Sequence, residues 1–306
     1  MNAPANNPRR GIELMLISAA LFACVSACAK QLEHHYPVLQ IVFLRCLIGI
    51  IPILAPLVLS SRLSTLRTRR VKGHFLRSSA GAISIISLFY TVQLMPLATA
   101  SAFFFSGPLF VVLFSALLLK EKIGGRHWLA VIAGFIGVLI VLHPGHSGIS
   151  VLGATLGIID AIFYALAMLG VRALGSSEPP ATIAFYYMLL SVLVLLPFQF
   201  VLWQMPDNFG DWLLIVAMGL IGGVGQLTMT RSYQYAPASL ISPFNYSGLL
   251  WATVFGLMVW GEWPEMPVFG GGGIIVASGV YLARHSRKSH AAGKNQPPDS
   301  SLSISS

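Results

Sequence analysis

The chain has 306 residues and a formal net charge of +9, with 56% hydrophobic and only 9% charged residues and a mean hydropathy of +0.77. Soluble domains carry about 25% charged residues, so this composition excludes a soluble fold and leaves no room for a soluble domain beside the apolar segments. The basic residues sit in short stretches between apolar runs, where they set membrane orientation, so the positive charge does not imply a nucleic-acid partner.

A helix needs about 20 mostly apolar residues to cross a hydrocarbon layer roughly 30 Å thick. Runs of that kind, bounded by charge, Pro or Gly, predict an all-α integral membrane protein with ten transmembrane helices near 12–31, 38–59, 75–95, 98–119, 127–143, 151–173, 181–203, 211–233, 238–260 and 266–283. The first run follows Arg9 and Arg10 and lacks a small-residue cleavage site before Lys30, which predicts a retained helix rather than a signal peptide. Cys24, Cys28 and Cys46 fall inside spans without CxxC spacing, predicting buried thiols and neither disulfide nor zinc. The stretch Ser60 to Ser78 carries Arg62, Arg67, Arg69, Arg70, Lys72 and Arg77, so it reads as a cytoplasmic loop. Lys120, Lys122, Arg126, Arg172, Arg231, Arg284, Arg287, Lys288 and Lys294 then fall on the same side, and only Lys30 on the other, where Glu33, Asp207, Asp211, Glu262 and Glu265 lie. The pattern predicts a multi-pass protein of the inner (plasma) membrane with both termini cytoplasmic, residues 1–10 forming the N-terminal segment and residues 285–306 a disordered polar tail.

The chain repeats itself. A shift of 141 places sets Gln93, Pro96, Ser106, Gly107, Phe114 and Glu121 on Gln234, Pro237, Ser247, Gly248, Phe255 and Glu262, and a shift of 142 sets Gly11, Ala19, Ala23, Lys30, Pro37, Ile41 and Phe43 on Gly153, Ala161, Ala165, Arg172, Pro179, Ile183 and Phe185. Residues 11–143 and 151–284 are therefore two related halves of five spans each. An odd number of spans puts the second half in the opposite orientation, and inverted halves of similar energy are suited to alternating access around a site at their interface.

The paired halves, the fourth span PLATASAFFFSGPLFVVLFSALLLKEK and its partner APASLISPFNYSGLLWATVFGLMVWGE resemble the EamA family of the drug/metabolite transporter superfamily over nearly the whole chain, Gly11 to Arg284. The resemblance implies a central cavity lined by the first, third, fourth, sixth, eighth and ninth spans. It also implies a small-molecule cargo, since members handle amino acids, nucleoside-like or vitamin-like metabolites and drugs, in either direction.

Asp160 lies nine residues after Val151, roughly 13 Å into the sixth span and near the midplane. A charge there costs about 2.5–3.5 kcal/mol, so Asp160 reads either as a substrate or proton site or as a tie within the bundle. One midplane carboxylate hints at a cationic or zwitterionic solute. Arg45 sits at a similar level in the second span and either pairs with Asp160 or snorkels to the interface. Ser106-Gly107-Pro108 frees a backbone carbonyl in the fourth span, and Ser242-Pro243 with Asn245-Tyr246 does so in the ninth; both read as cavity polar groups or as packing kinks. Phe22, Tyr90, Phe105, Tyr164, Tyr246 and Trp251 are candidate aromatic walls for the substrate. Gln93 and Gln234 suit gating or helix capping, and Glu121 and Glu262 suit capping. Gly-rich stretches such as Gly270 to Gly273 permit close helix approach, including that of a homodimer. The histidines fall at span ends with no metal spacing, and there is no HExxH, GxSxG or P-loop pattern. The expectation is a secondary transporter rather than an enzyme, with no cofactor or metal; the alternative is a flippase or accessory subunit for an amphipathic lipid carrier.

Overall fold

The computed structural model describes residues 7–33, 35–104, 106–118, 125, 129, 132–134, 136–137, 140, 150–235, 241, 244–245, 247–261, 263, 266–267, 269–274, 276–278 and 280–281. Among them there are helices and no strand. Six helical segments are long and apolar enough to cross a membrane, Pro8–Leu32, Val38–Leu59, Val71–Leu94, Val151–Gly175, Pro180–Leu202 and Phe209–Tyr235. The fifth predicted span falls largely outside the described residues, and the tenth is described at 266–267, 269–274, 276–278 and 280–281.

Helix starts follow local chemistry. α1 (Pro8–Leu32) is capped by Asn7, whose side chain accepts from the Arg10 amide at 3.2 Å, with Pro8 at the first helical position where its missing donor is harmless. The second predicted span is two helices, α2 (Val38–Gly49) and α3 (Ile51–Leu59), parted at Ile50 just before Pro52. α4 (Val71–Leu94) begins at Val71, so Arg77, expected in the preceding loop, is a helix residue. The fourth span is also broken, into α5 (Leu97–Phe104) and α6 (Gly107–Leu118), at the Ser106-Gly107-Pro108 step. There the Ser106 hydroxyl donates to the Phe103 carbonyl at 2.6 Å, satisfying one of the carbonyls at the break, so the expected kink is present. α7 (Val151–Gly175) is capped by the Ser150 hydroxyl on the Gly153 amide, α8 spans Pro180–Leu202, α9 spans Phe209–Tyr235 and α10 spans Ser247–Trp260.

The most extensive packings are α4 on α7 and α1 on α9. The shift of 141 or 142 carries α1 onto α7 and α4 onto α9, so it exchanges these two packings. Individual contacts follow the same exchange. The Ser84 hydroxyl of α4 donates to Asp160 of α7 at 2.6 Å, and at the corresponding positions the Ser18 hydroxyl of α1 donates to the Gly225 carbonyl of α9 at 3.1 Å. At one end of the bundle the Tyr36 hydroxyl donates to Asp211 at 2.6 Å, and Gln40 exchanges bonds with the Gln204 backbone at 2.6 and 2.8 Å. At the other end Thr68 donates to Glu178, the repeat partner of Tyr36, at 2.6 Å, and Thr182, the partner of Gln40, donates to the Thr65 carbonyl at 2.8 Å. Gln234 caps this end by donating to the Glu178 carbonyl at 3.1 Å, whereas its repeat mate Gln93 is exposed. The Thr68 end also carries Arg9, Arg10, Arg62, Arg67, Arg69, Arg70 and Lys72; the Tyr36 end carries Asp207 and Asp211.

Candidate functional site

A cavity of about 90 Å³ lies between α1, α2, α4, α5, α7, α8, α9 and α10. That holds several waters at roughly 10–15 Å³ each but falls well short of the roughly 300–1,000 Å³ of small-molecule sites. A metabolite-sized solute therefore requires the helices to part.

α4 supplies one wall: Arg77, Gly81, Ser84 and Leu88 recur at helical spacing and all line the cavity. Arg77, about 9 Å along the helix from Val71, is only 2% exposed. Its guanidinium lies 4.2 Å from the centroid of the Tyr187 ring on α8. Two glycines make room for it: a Cβ at Gly81 would stand 2.5 Å from Arg77 Nη1, and one at Gly170 would stand 2.8 Å from Arg77 Cβ. Arg45 of α2 is likewise 2% exposed and lines the cavity, so it does not snorkel. Its guanidinium lies 5.9 Å from the Phe22 ring centroid on α1.

Asp160 is fully buried, with Oδ1 accepting from Ser84 and Oδ2 without a hydrogen-bond partner. The Arg45–Asp160 pair offered as one alternative is not formed: Asp160 accepts from the cavity-lining Ser84 and is not itself in the described cavity wall. Tyr164, one turn along α7, does line the cavity; its hydroxyl is 3.3 Å from that of Tyr233 and accepts from Asn245 Nδ2 at 3.4 Å. Phe104 meets the Tyr164 ring edge-on at 5.2 Å.

Of the residues expected at the site, Phe22, Arg45, Tyr164 and Asn245 line the cavity together. Ser106 is buried nearby with its hydroxyl engaged on Phe103. Tyr90 packs against the apolar core of α1, α2 and α8 instead. Trp251 is 45% exposed and stacks on Phe255 at the outer face of α10, because a helix apolar on every side gives no sign of which face turns inward. Phe105, Ser242, Pro243, Tyr246, Glu121 and Glu262 lie outside the described residues. Arg77, Ser84, Tyr187 and Gln226 line the cavity without having been anticipated. The signal for the first two was the spacing of Arg77, Ser84 and Thr91 at seven-residue intervals, one polar stripe down an apolar helix.

The EamA-like transporter family model matches residues 9–143 and again 151–284. The chain belongs to this family. The family model thus matches this chain twice, and the two matches together span the residues that line the cavity. The chain is similar to the pseudopaline exporter of Pseudomonas aeruginosa, 29% identical over 278 residues covering 90% of this chain and 96% of the other. It is also similar to the riboflavin transporter of Vibrio cholerae, 29% identical over 297 residues (95% and 98%), and to the S-adenosylmethionine uptake transporter of Rickettsia felis, 23% identical over 288 residues (94% and 97%). A crystal structure shares the fold with a TM-score of 0.67 at 19% identity, covering 90% of this chain and 98% of the other. The EamA chain is accordingly a multi-pass membrane protein and a small-metabolite transporter, in a family of transporters rather than enzymes.

Proposed function

We propose that this EamA protein is a secondary transporter of the inner membrane with ten spans, two inverted five-helix halves and both termini cytoplasmic, moving a small organic metabolite by alternating access. The observation that carries the reading is the exchange of contacts between halves. Tyr36–Asp211 and Thr68–Glu178, in which Glu178 is the repeat partner of Tyr36, tie opposite ends of one bundle, and the cavity lies between them. Two related ties at opposite ends are suited to opening in turn, because conformers related by the repeat have similar energy. The concentration of Arg and Lys at the Thr68 end supports a cytoplasmic assignment for that end. The relatives named for pseudopaline, riboflavin and S-adenosylmethionine favour a soluble, polar metabolite as cargo, with Phe22, Tyr164 and Asn245 in its binding wall.

The test is flux into proteoliposomes for a panel of amino acids, nucleosides, vitamins and their conjugates. Saturable movement and counterflow of at least one soluble metabolite is the expected result. Absence of any soluble flux, together with scrambling of a fluorescent phospholipid, would move the protein to the flippase class.

A further inference from the structure

We infer that the solute carries an anionic group, a carboxylate or a phosphate, which binds between Arg45 and Arg77. This deepens the transport reading and rests on it for the statement that the bound solute is cargo.

Among the described residues the cavity wall holds two guanidiniums and no acidic side chain: the lining includes Arg45 and Arg77 but no Asp or Glu. Both arginines are 2% exposed. Nε of Arg45 and both Nε and Nη1 of Arg77 are buried without a hydrogen-bond partner. The carboxylate of Asp160 is bonded to the cavity-lining Ser84 and stands outside the described lining. Burying a cation is costly unless it is paired and hydrogen-bonded, and here two share one cavity.

Tyr187 links them. Arg77 sits over its ring and Arg45 interacts with it electrostatically. Two like charges beside one tyrosine repel, and an anion between them reverses the sign of that interaction. Arginine rather than lysine at both positions fits the assignment, because its planar donors match the two oxygens of a carboxylate or phosphate.

A purely structural arginine looks different in this same protein. Arg70 spends its Nη1 on the Ala173 carbonyl at 3.0 Å and the Ser177 hydroxyl at 2.9 Å, bridging α4 to the end of α7. Among the described residues Arg77 makes no such bond, and Arg45 has as polar neighbours only the Cys46 sulfur at 3.9 Å and the Tyr187 hydroxyl. The rest of the lining, with Phe22, Phe89 and Phe104, suits the organic body of the solute. The midplane carboxylate Asp160 suggested a cationic or zwitterionic cargo; the charge on the wall is of the opposite sign.

The experiment is thermal stabilisation of the purified protein in neutral detergent by matched probes: aliphatic and aromatic mono- and dicarboxylates and organic monophosphates, beside the amide, ester and amine of each skeleton. At least one anion is expected to raise the melting temperature where its amide does not. Arg77→Gln and Arg45→Gln should each weaken that anion by about tenfold or more, with ligand-free melting temperatures equal to or above that of the parent. If Arg77→Gln fails to fold, Arg77→Lys keeps the charge, loses the planar fork and should show the same loss. An anion that binds but does not cross proteoliposomes upholds the inference and defeats the transport reading. Stabilisation by phosphatidylglycerol alone keeps the anionic site and assigns its ligand to a lipid headgroup. Flux or stabilisation confined to neutral or cationic probes, or no anion acting at millimolar concentration, overturns the inference and leaves transport standing.

Discussion

Gly223→Ala is expected to lower the melting temperature of the detergent-solubilised protein by several degrees, and Gly223→Val to leave no monodisperse protein. Lipid is as apolar as the helix interior, so helices in a membrane associate through close packing and small residues rather than by expelling water. α2 and α9 cross at Gly49 and Gly223, and a Cβ at Gly223 would run into the Gly49 carbonyl and stand 2.5 Å from Pro52 Cγ. The obstacle is backbone and a proline ring, neither of which can swing away, so the helices must separate. Overpacking of this kind costs about 1–3 kcal/mol per added group. The same crossing carries Arg45 on α2, so the separation also disturbs the cavity. Gly270→Ala is the control: among the described residues a Cβ there meets nothing within 4 Å, and its melting temperature should match the parent. Equal stability of Gly223→Ala and Gly270→Ala would refute the close crossing.

Asp160→Asn is expected to fold like the parent and to lose transport by about tenfold or more, the scale of one charge-assisted bond. The repeat makes the case. Ser18, at the position equivalent to Asp160, ties α1 to α9 with a hydroxyl alone, so the tie between α7 and α4 does not demand an acid. An acid is present nonetheless, fully buried, with one oxygen engaged by the cavity-lining Ser84 and the other without a partner. Ionisable groups at that depth are costly and are retained for function. Asparagine keeps an oxygen for Ser84 and removes only the acid, whereas Asp160→Ala also removes the tie and should lose about 1 kcal/mol of stability, the scale of interhelical hydrogen bonds in membranes. Unchanged flux in Asp160→Asn would reduce Asp160 to a structural tie.

Much of this protein is legible from its residues. Apolar runs located the helices closely, as at 151–173 against Val151–Gly175 and 181–203 against Pro180–Leu202, because length and hydropathy are set by the membrane itself. The duplication emerged from residues as ordinary as Gln93 and Gln234, since repeats preserve spacing where chemistry drifts. Counting residues into the spans singled out Asp160 and Arg45, and both are buried in the bundle. What a one-dimensional reading lacks is azimuth. Trp251 and Phe22 are equally aromatic and equally intramembrane, yet one faces outward and the other the cavity. Arg77 was misread for a related reason: charge counted toward the loop, whereas α4 begins six residues earlier and the glycines that accommodate the guanidinium lie on two different helices. The Ser84–Asp160 bond joins residues 76 positions apart, a pairing set by the packing of α4 on α7 rather than by any local pattern.

Alternating access can be tested without knowing the cargo. Ser26 lines the cavity from α1, and Ser26→Cys in a background with Cys24, Cys28 and Cys46 replaced by Ala gives one thiol in the cavity. Its labelling by a membrane-impermeant thiol reagent should occur from both faces of oriented vesicles. Cross-linking cysteines at Tyr36 and Asp211 should abolish labelling from that end only, and cross-linking cysteines at Thr68 and Glu178 should abolish it from the basic end only. Labelling from a single face, or labelling indifferent to either cross-link, would contradict alternating access through this cavity.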